Sequence, residues 1–408
     1  MPFLPLALAA LILSAATLSL QSSALADLER AAAGNPSDVQ AQRRLAAAYE
    51  AAGQRLDAAA AWTRVTDLAP QAPAGWYALG LAYSAVAQEA VRSFEDRPAD
   101  AVWRQLLMAD SLLATGHLTD AFVVYRSVEE QLPSMVTIHE SVAQIYERSG
   151  DAAWAARERT RGVLSAEACA SRKALCEFRA GRYRGALEAA LAGSDAESRY
   201  WLARIARELA RASYAHLDTL ADSPERRASR ATIARAEDRQ QDAVAELTAA
   251  LKLVPGNPAL AFELATACYA ARDYEQALAT VNPLLRARPD DPRLVKLAGY
   301  SLLQLRRLDE ALPLLQRAAA IDPADPGPQL ALGRANLQRG DYSAAIPLIE
   351  PHLGTDQDGS LHVQLARAYG GVGQREKAAA LLAKSQELQR ATEEQAAAAA
   401  RRTITAPR

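Results

Sequence analysis

Runs in which Val, Ile or Thr alternate with polar residues are missing from this chain, and their absence argues against an extensive β-sheet. A strong excess of charge is missing too: 46 Lys and Arg stand against 48 Asp and Glu, for a formal net charge of -2. That balance argues against a nucleic-acid binder, which usually carries a marked basic excess. The three cysteines form no C-x-x-C pair, so a thioredoxin-like redox motif is excluded. His117, His139, His216, His352 and His362 form neither H-E-x-x-H nor an i, i+4 pair, and no metal site is expected from them. His139 falls on an interior helix position and reads as a core residue with a partner. The chain has no G-x-S-x-G, no Walker-type loop and no G-x-G-x-x-G after a strand. Asp356-Gln357-Asp358-Gly359 starts like a calcium loop, but the later ligands and the closing Glu are missing. A turn capped by Asp358 or Ser360 explains it better. These absences predict a protein that is not an enzyme and has no cofactor.

What is present is helical. Half of the 408 residues are apolar, only 6% are aromatic, and Ala and Leu dominate. Pro2 to Leu20 contains no charged side chain, and Ala24-Leu25-Ala26 gives the small-x-small pattern of a cleavage site. Residues 1–26 therefore read as a secretory signal peptide cleaved after Ala26. The n-region has no Lys or Arg, and an uncleaved N-terminal anchor is the alternative. If the leader is removed, no membrane span is expected in the mature chain. The expected location is the periplasm or the cell exterior, and the Ala and Arg usage suggests a bacterium.

Pro255, Pro289 and Pro323 stand 34 residues apart, and Ala243, Ala277, Ala311 and Ala345 keep the same step. A period of that length predicts a stacked helix–turn–helix solenoid. Small residues recur in register at Ala231, Ala265, Gly299, Gly333 and Ala366, and again at Ala243, Ala277, Ala311, Ala345 and Ala378, where paired helices must approach closely. Asn257-Pro258, Asp291-Pro292 and Asp325-Pro326 each put a capping residue before a proline at the first helical position. Leu45-Ala46, Tyr49, Ala58, Trp62 and Pro70 repeat the theme nearer the N-terminus, as do Met108-Ala109, Ala121, Tyr125 and Pro133.

These residues resemble the tetratricopeptide repeat (TPR) family over most of residues 38–390. The resemblance implies an all-α, right-handed superhelical solenoid of antiparallel helix pairs, with about ten repeats. The expected divisions are an N-terminal array over 27–163, degenerate helical repeats over 164–222, a regular array over 223–390, and a capping helix end with a disordered tail over 391–408. The middle segment is expected to bend the array, and Arg97-Pro98 to break the helix that runs through Trp76, Gly80 and Tyr83.

Cys169 and Cys176 are seven residues apart, which in one continuous helix separates their Cα atoms by about 10 Å, too far for a bridge. A disulfide therefore needs Cys169 in a loop ahead of the helix that holds Cys176, and two buried thiols are the alternative. Cys268 reads as a core thiol.

In the tetratricopeptide family the first helix of each repeat lines a concave groove. Carried over by register, that implies a surface of Phe262, Thr266, Tyr269, Arg293, Lys296, Tyr300, Gln304, Arg334 and Arg367. The set mixes cations with aromatics and contains no acid, which suits an acidic or carboxylate-bearing peptide. A solvated face whose charges pair locally is the alternative. Tyr77, Leu81, Trp103 and Leu106 mark a second apolar patch, open to a partner or covered by a neighbouring helix. The implied function is a protein-binding scaffold of the cell envelope. The alternatives are a membrane-anchored structural subunit and an accessory module of an envelope assembly or glycan-processing enzyme complex.

Overall fold

A computed structural model describes residues 23–95, 97–400 and 403–406, and every extended regular element among them is a helix. Most of the expected leader, residues 1–22, lies outside the described residues. Among the described residues no helix is long and apolar enough to cross a membrane. The chain divides into two compact units. The first runs to Arg226 and also takes in the segment from Thr403, and the second runs from Arg227 to Arg402.

The first unit begins with α1 (23–34), followed by the pair α2 (Val39–Ala51) and α3 (Arg55–Leu68). Next comes α4 (Pro73–Arg92), which runs on toward Phe94 without turning into a second helix. Two regular pairs follow: α5 (Ala101–Ala114) with α6 (Leu118–Gln131), and α7 (Thr137–Arg148) with α8 (Ala152–Arg161). The short helices α9 (Ala166–Ser171), α10 (Lys173–Arg179) and α11 (Tyr183–Leu191) lead to α12 (Ala196–Thr219). Arg172, with φ -124° and ψ 58°, breaks the chain between α9 and α10. That break brings the Cα atoms of Cys169 and Cys176 to 5.5 Å, and the two are disulfide-bonded. Cys169 lies in a short helix of its own rather than in the loop that the spacing suggested.

The segment 164–222 carries a long-range contact. Leu79, Ala82, Tyr83, Val86 and Ala87 of α4 share one core with Ala206, Ala210 and Tyr214 of α12, so the chain returns past seven intervening helices. In a simple solenoid each repeat touches only its neighbours. Here α4 has no second helix to cover it, and burial of its apolar residues recruits α12 instead. Gly80 permits the contact, because a Cβ there would lie 2.4 Å from the Tyr214 ring.

The C-terminal end departs from expectation as well. Thr403–Ala406 is not a disordered tail. It lies without regular secondary structure against the first unit, where Ile404 packs against the main core and the Tyr146 hydroxyl donates to the Thr405 carbonyl at 2.5 Å.

The second unit is the regular one. Its pairs are α13 (Pro224–Ala236) with α14 (Gln240–Leu253), α15 (Pro258–Ala270) with α16 (Tyr274–Ala287), α17 (Pro292–Gln304) with α18 (Leu308–Ile321), α19 (Pro326–Arg339) with α20 (Tyr342–Ile349), and α21 (Ser360–Gly371) with α22 (Arg375–Ala400). The side chains of Asn257, Asp291 and Asp325 accept from backbone N–H groups of the first turns of α15, α17 and α19, as the Asx-Pro pairs predict. Ala243, Ala277, Ala311 and Ala345 are all fully buried. Gly333 shows why the register demands small residues: a Cβ there would meet Ile349 at 2.8 Å. The Asp356–Gly359 segment is a structural turn. Asp358 Oδ1 accepts from the Ser360 N–H at 2.9 Å, and Asp356 Oδ2 lies 2.6 Å from His362 Nδ1.

Candidate peptide-binding groove

Three of the first helices of the second unit bring aromatic and charged side chains together. On α15, Phe262, Thr266 and Tyr269 recur at helical spacing and are half-buried. On α17, Arg293, Lys296, Tyr300 and Gln304 do the same, with Arg293 and Gln304 exposed. The 34-residue step makes Thr266, Tyr300 and Arg334 equivalent positions on α15, α17 and α19. The Arg293 guanidinium stands 5.1 Å from the centre of the Phe262 ring. The rings of Tyr269 and Tyr300 are 6.4 Å apart at 39°, and Tyr274, at the start of α16, adds a third ring 5.3 Å from Tyr269. Phe262, Tyr269, Arg293 and Tyr300 thus form one continuous strip across two repeats. Arg334 and Arg367 are exposed further along, on α19 and α21, and Gln304 lies one turn beyond Tyr300.

The strip is not free of acid, and here the sequence reading needs correcting. Lys296 Nζ lies 3.0 Å from Asp325 Oδ2, and Arg293 lies 3.3 Å from Asp291 Oδ2. Both acids are helix caps. A capping carboxylate can serve the backbone and a cation together, so Asp291 supplies a counter-charge within its own repeat and Asp325 supplies one from the next repeat. The Arg293 hydrogen bond outweighs burial and holds Asp291 below the usual carboxylate range. For Asp325 the backbone N–H of Gly327 contributes most, with Lys296 next. Burial, reinforced by the Asp325 charge, pushes the Tyr300 phenol up to about 12. Gly327 explains how the α19 backbone comes so near: a Cβ there would lie 2.6 Å from the Tyr300 hydroxyl. The sequence held the signal for Asp325, since a cap 29 positions after Lys296 falls beside it once the 34-residue stack is built.

The second patch does not form an open surface. Tyr77 faces Tyr214 with ring centres 6.4 Å apart, and Trp103 faces Tyr200 at 5.6 Å, so α12 covers both. Leu106 is 1% exposed and is a core residue with nothing to offer a partner. Leu81 remains exposed. His139 is also internal, with Nδ1 2.8 Å from Glu158 Oε2. No cluster of His, Cys, Asp or Glu among the described residues could hold a metal ion.

The model of the tetratricopeptide repeat family matches residues 234–299 and 302–362, the stretch that carries this strip. These two stretches of the C-terminal array match tetratricopeptide repeats. Among solved structures, MamA (residue 41 to the end) from Desulfovibrio magneticus RS-1 is similar at 20% identity and a TM-score of 0.38, covering 42% of this chain and 97% of its own. MamA MSR-1 matches at 22% identity and 0.37, covering 41% of this chain and 95% of its own. MamA AMB-1 matches at 24% and 0.36, covering 40% and 95%. No curated protein matches. Tetratricopeptide repeats make up protein-interaction scaffolds and are generally non-enzymatic. Their stacked first helices present an extended surface rather than a closed pocket.

Proposed function

We propose that this chain is a non-enzymatic scaffold that holds an extended segment of a partner protein along α15, α17, α19 and α21, and that it acts in the periplasm or outside the cell. The observation that carries the binding reading is the strip of Phe262, Tyr269 and Tyr300, with the Arg293 guanidinium 5.1 Å from the Phe262 ring. Aromatic and arginine side chains supply most of the binding energy at interfaces of this kind. Arg334 and Arg367 extend the strip with positive charge, which suits acidic side chains or a free carboxylate on the partner. Asp291 and Asp325 compete for Arg293 and Lys296, so an acidic partner has to displace a cap carboxylate or engage Arg334 and Arg367.

Export is supported by two independent features. The apolar N-terminus ending in Ala24-Leu25-Ala26 has the form of a cleavable leader, and the Cys169–Cys176 bond fits an oxidising compartment. The same uncharged run from Pro2 to Leu20 also fits a retained anchor. On that second reading the chain is a membrane-anchored structural subunit, or an accessory module of an envelope assembly or glycan-processing complex.

The test uses the mature chain, residues 27–408, beside a Tyr269→Ala, Lys296→Ala, Tyr300→Ala, Arg334→Ala variant. Both are presented to a native envelope extract, and circular dichroism verifies that the variant is still helical. A partner retained by the wild type and lost by the variant is the expected result. A partner held equally by both moves the working surface elsewhere. Sequencing the N-terminus of the protein from the envelope fraction decides the leader: Asp27 as first residue is expected, and Met1 favours the anchored reading.

A further inference from the structure

The last described residues of the chain lie against the first unit in a manner its architecture does not require. Thr403, Thr405 and Ala406 are exposed and only Ile404 is half-buried. Among the described residues, one hydrogen bond, from the Tyr146 hydroxyl to the Thr405 carbonyl at 2.5 Å, and the packing of Ile404 hold the segment. One partly buried side chain and one hydrogen bond barely offset the entropy of ordering four residues, so the attachment is reversible.

The surface behind the segment is built without it. Tyr146 sits on α7 between the rings of Phe122 and Trp154, 5.7 and 5.4 Å from its own. Its oxygen accepts from Arg126 Nη2 at 3.1 Å, which leaves the hydroxyl proton for an outside acceptor. Arg126 is fixed in turn by Glu158 at 2.5 Å and Glu129 at 2.6 Å. His139 holds Glu158 at 2.8 Å, and Arg161 holds Glu129 at 2.9 Å. A charge network spanning α6, α7 and α8 therefore fixes one buried donor beside the core on which the branched side chain of Ile404 packs. Thr403-Ile404-Thr405 is a run of β-branched residues, which favours the extended backbone that such a donor reads.

We propose that the surface around Tyr146 is a docking site for an extended peptide, and that the chain's own Thr403–Ala406 occupies it as a displaceable internal ligand. The segment it accepts carries a branched aliphatic side chain followed by a backbone carbonyl for the Tyr146 hydroxyl. This site is separate from the groove on α15 and α17, and its fate is independent of that reading.

The test is fluorescence anisotropy with a labelled peptide, Arg-Arg-Thr-Ile-Thr-Ala-Pro-Arg, titrated into the full chain. The wild type is compared with Ile404→Asp, which releases the internal segment, and with Ile404→Asp combined with Tyr146→Phe. The peptide is expected to bind the Ile404→Asp chain, and to bind the wild type about twofold more weakly, because a marginally held segment fills the site about half the time. Tyr146→Phe keeps the ring and removes the donor, and is expected to weaken binding about fivefold while leaving the thermal midpoint of the first unit near that of the parent. Equal binding to wild type and Ile404→Asp overturns the proposal, as does no binding to either. A wild-type dimer that Ile404→Asp dissolves overturns self-occupancy by placing the segment on a second copy.

Discussion

Asp238, Arg272, Arg306 and Gly340 stand 34 residues apart at the turn within successive repeats, and all four have left-handed backbone, with φ between 58° and 86°. Only the last is glycine. A left-handed conformation costs an ordinary L-residue about 1–2 kcal/mol, against about 0.5–1 kcal/mol for the extra freedom glycine loses on folding. Arg272→Gly is therefore expected to stabilise the second unit by about 0.5–1 kcal/mol in urea unfolding, an effect that lowered stability would refute. Glu158 makes the opposite kind of residue-scale contribution. Burial by itself would raise its pKa, but hydrogen bonds from His139 and Arg126 hold it below the usual value. Its folded pKa thus lies below an unfolded value of about 4.3, so the contribution is complete above that pH and is lost as pH falls through the folded pKa. Glu158→Gln is expected to cost about 3 kcal/mol at neutral pH by leaving buried partners uncompensated. The gap from the wild type should close in acid denaturation curves below about pH 4.

At the scale of elements, α4 and α12 decide the form of the first unit. Their contact depends on Gly80, where any Cβ collides with the Tyr214 ring. Gly80→Ala is expected to lower the stability of the first unit by about 1–3 kcal/mol, read as an earlier loss of tryptophan fluorescence, since all five Trp belong to that unit. The pairing of α9 with α10 depends on the disulfide. Replacing Cys169 and Cys176 by Ser is expected to cost up to about 2–3 kcal/mol in the same unit and to leave the second unit unchanged. The sequence shows these elements unevenly. The paired helices of 224–400 are legible because caps, small residues and turns recur on one step, so each position is read several times over. The α4–α12 contact has no period to announce it. Tyr77, Trp103 and Leu106 look like an exposed patch until the partner helix, far along the chain, is placed. Ile404 is similar, since six residues with two threonines and one proline give no local sign of the Tyr146 hydroxyl that meets the Thr405 carbonyl.

For the whole molecule, the positions of the proposed strip are legible in the sequence, but its charge pattern is not. The family register placed Phe262, Tyr269, Arg293 and Tyr300 on one strip, yet the acids that neutralise part of it were visible only as caps. The two units also answer to different physics: in the first, contacts distant in sequence fix the core, and in the second each repeat depends on its neighbours. The second unit is accordingly expected to unfold less cooperatively, with a broader denaturant transition than the first. The capping junctions carry one more implication. Asp291-Pro292 and Asp325-Pro326 are the same dipeptide, with the same side-chain bond to the following turn. Excising residues 292–325 would join Asp291 to Pro326 and recreate that junction, leaving no orphaned N–H group and no mismatch in register. The array can thus be shortened by a whole module, and by the same logic lengthened, so the length of the face its first helices present is set by a count of interchangeable parts.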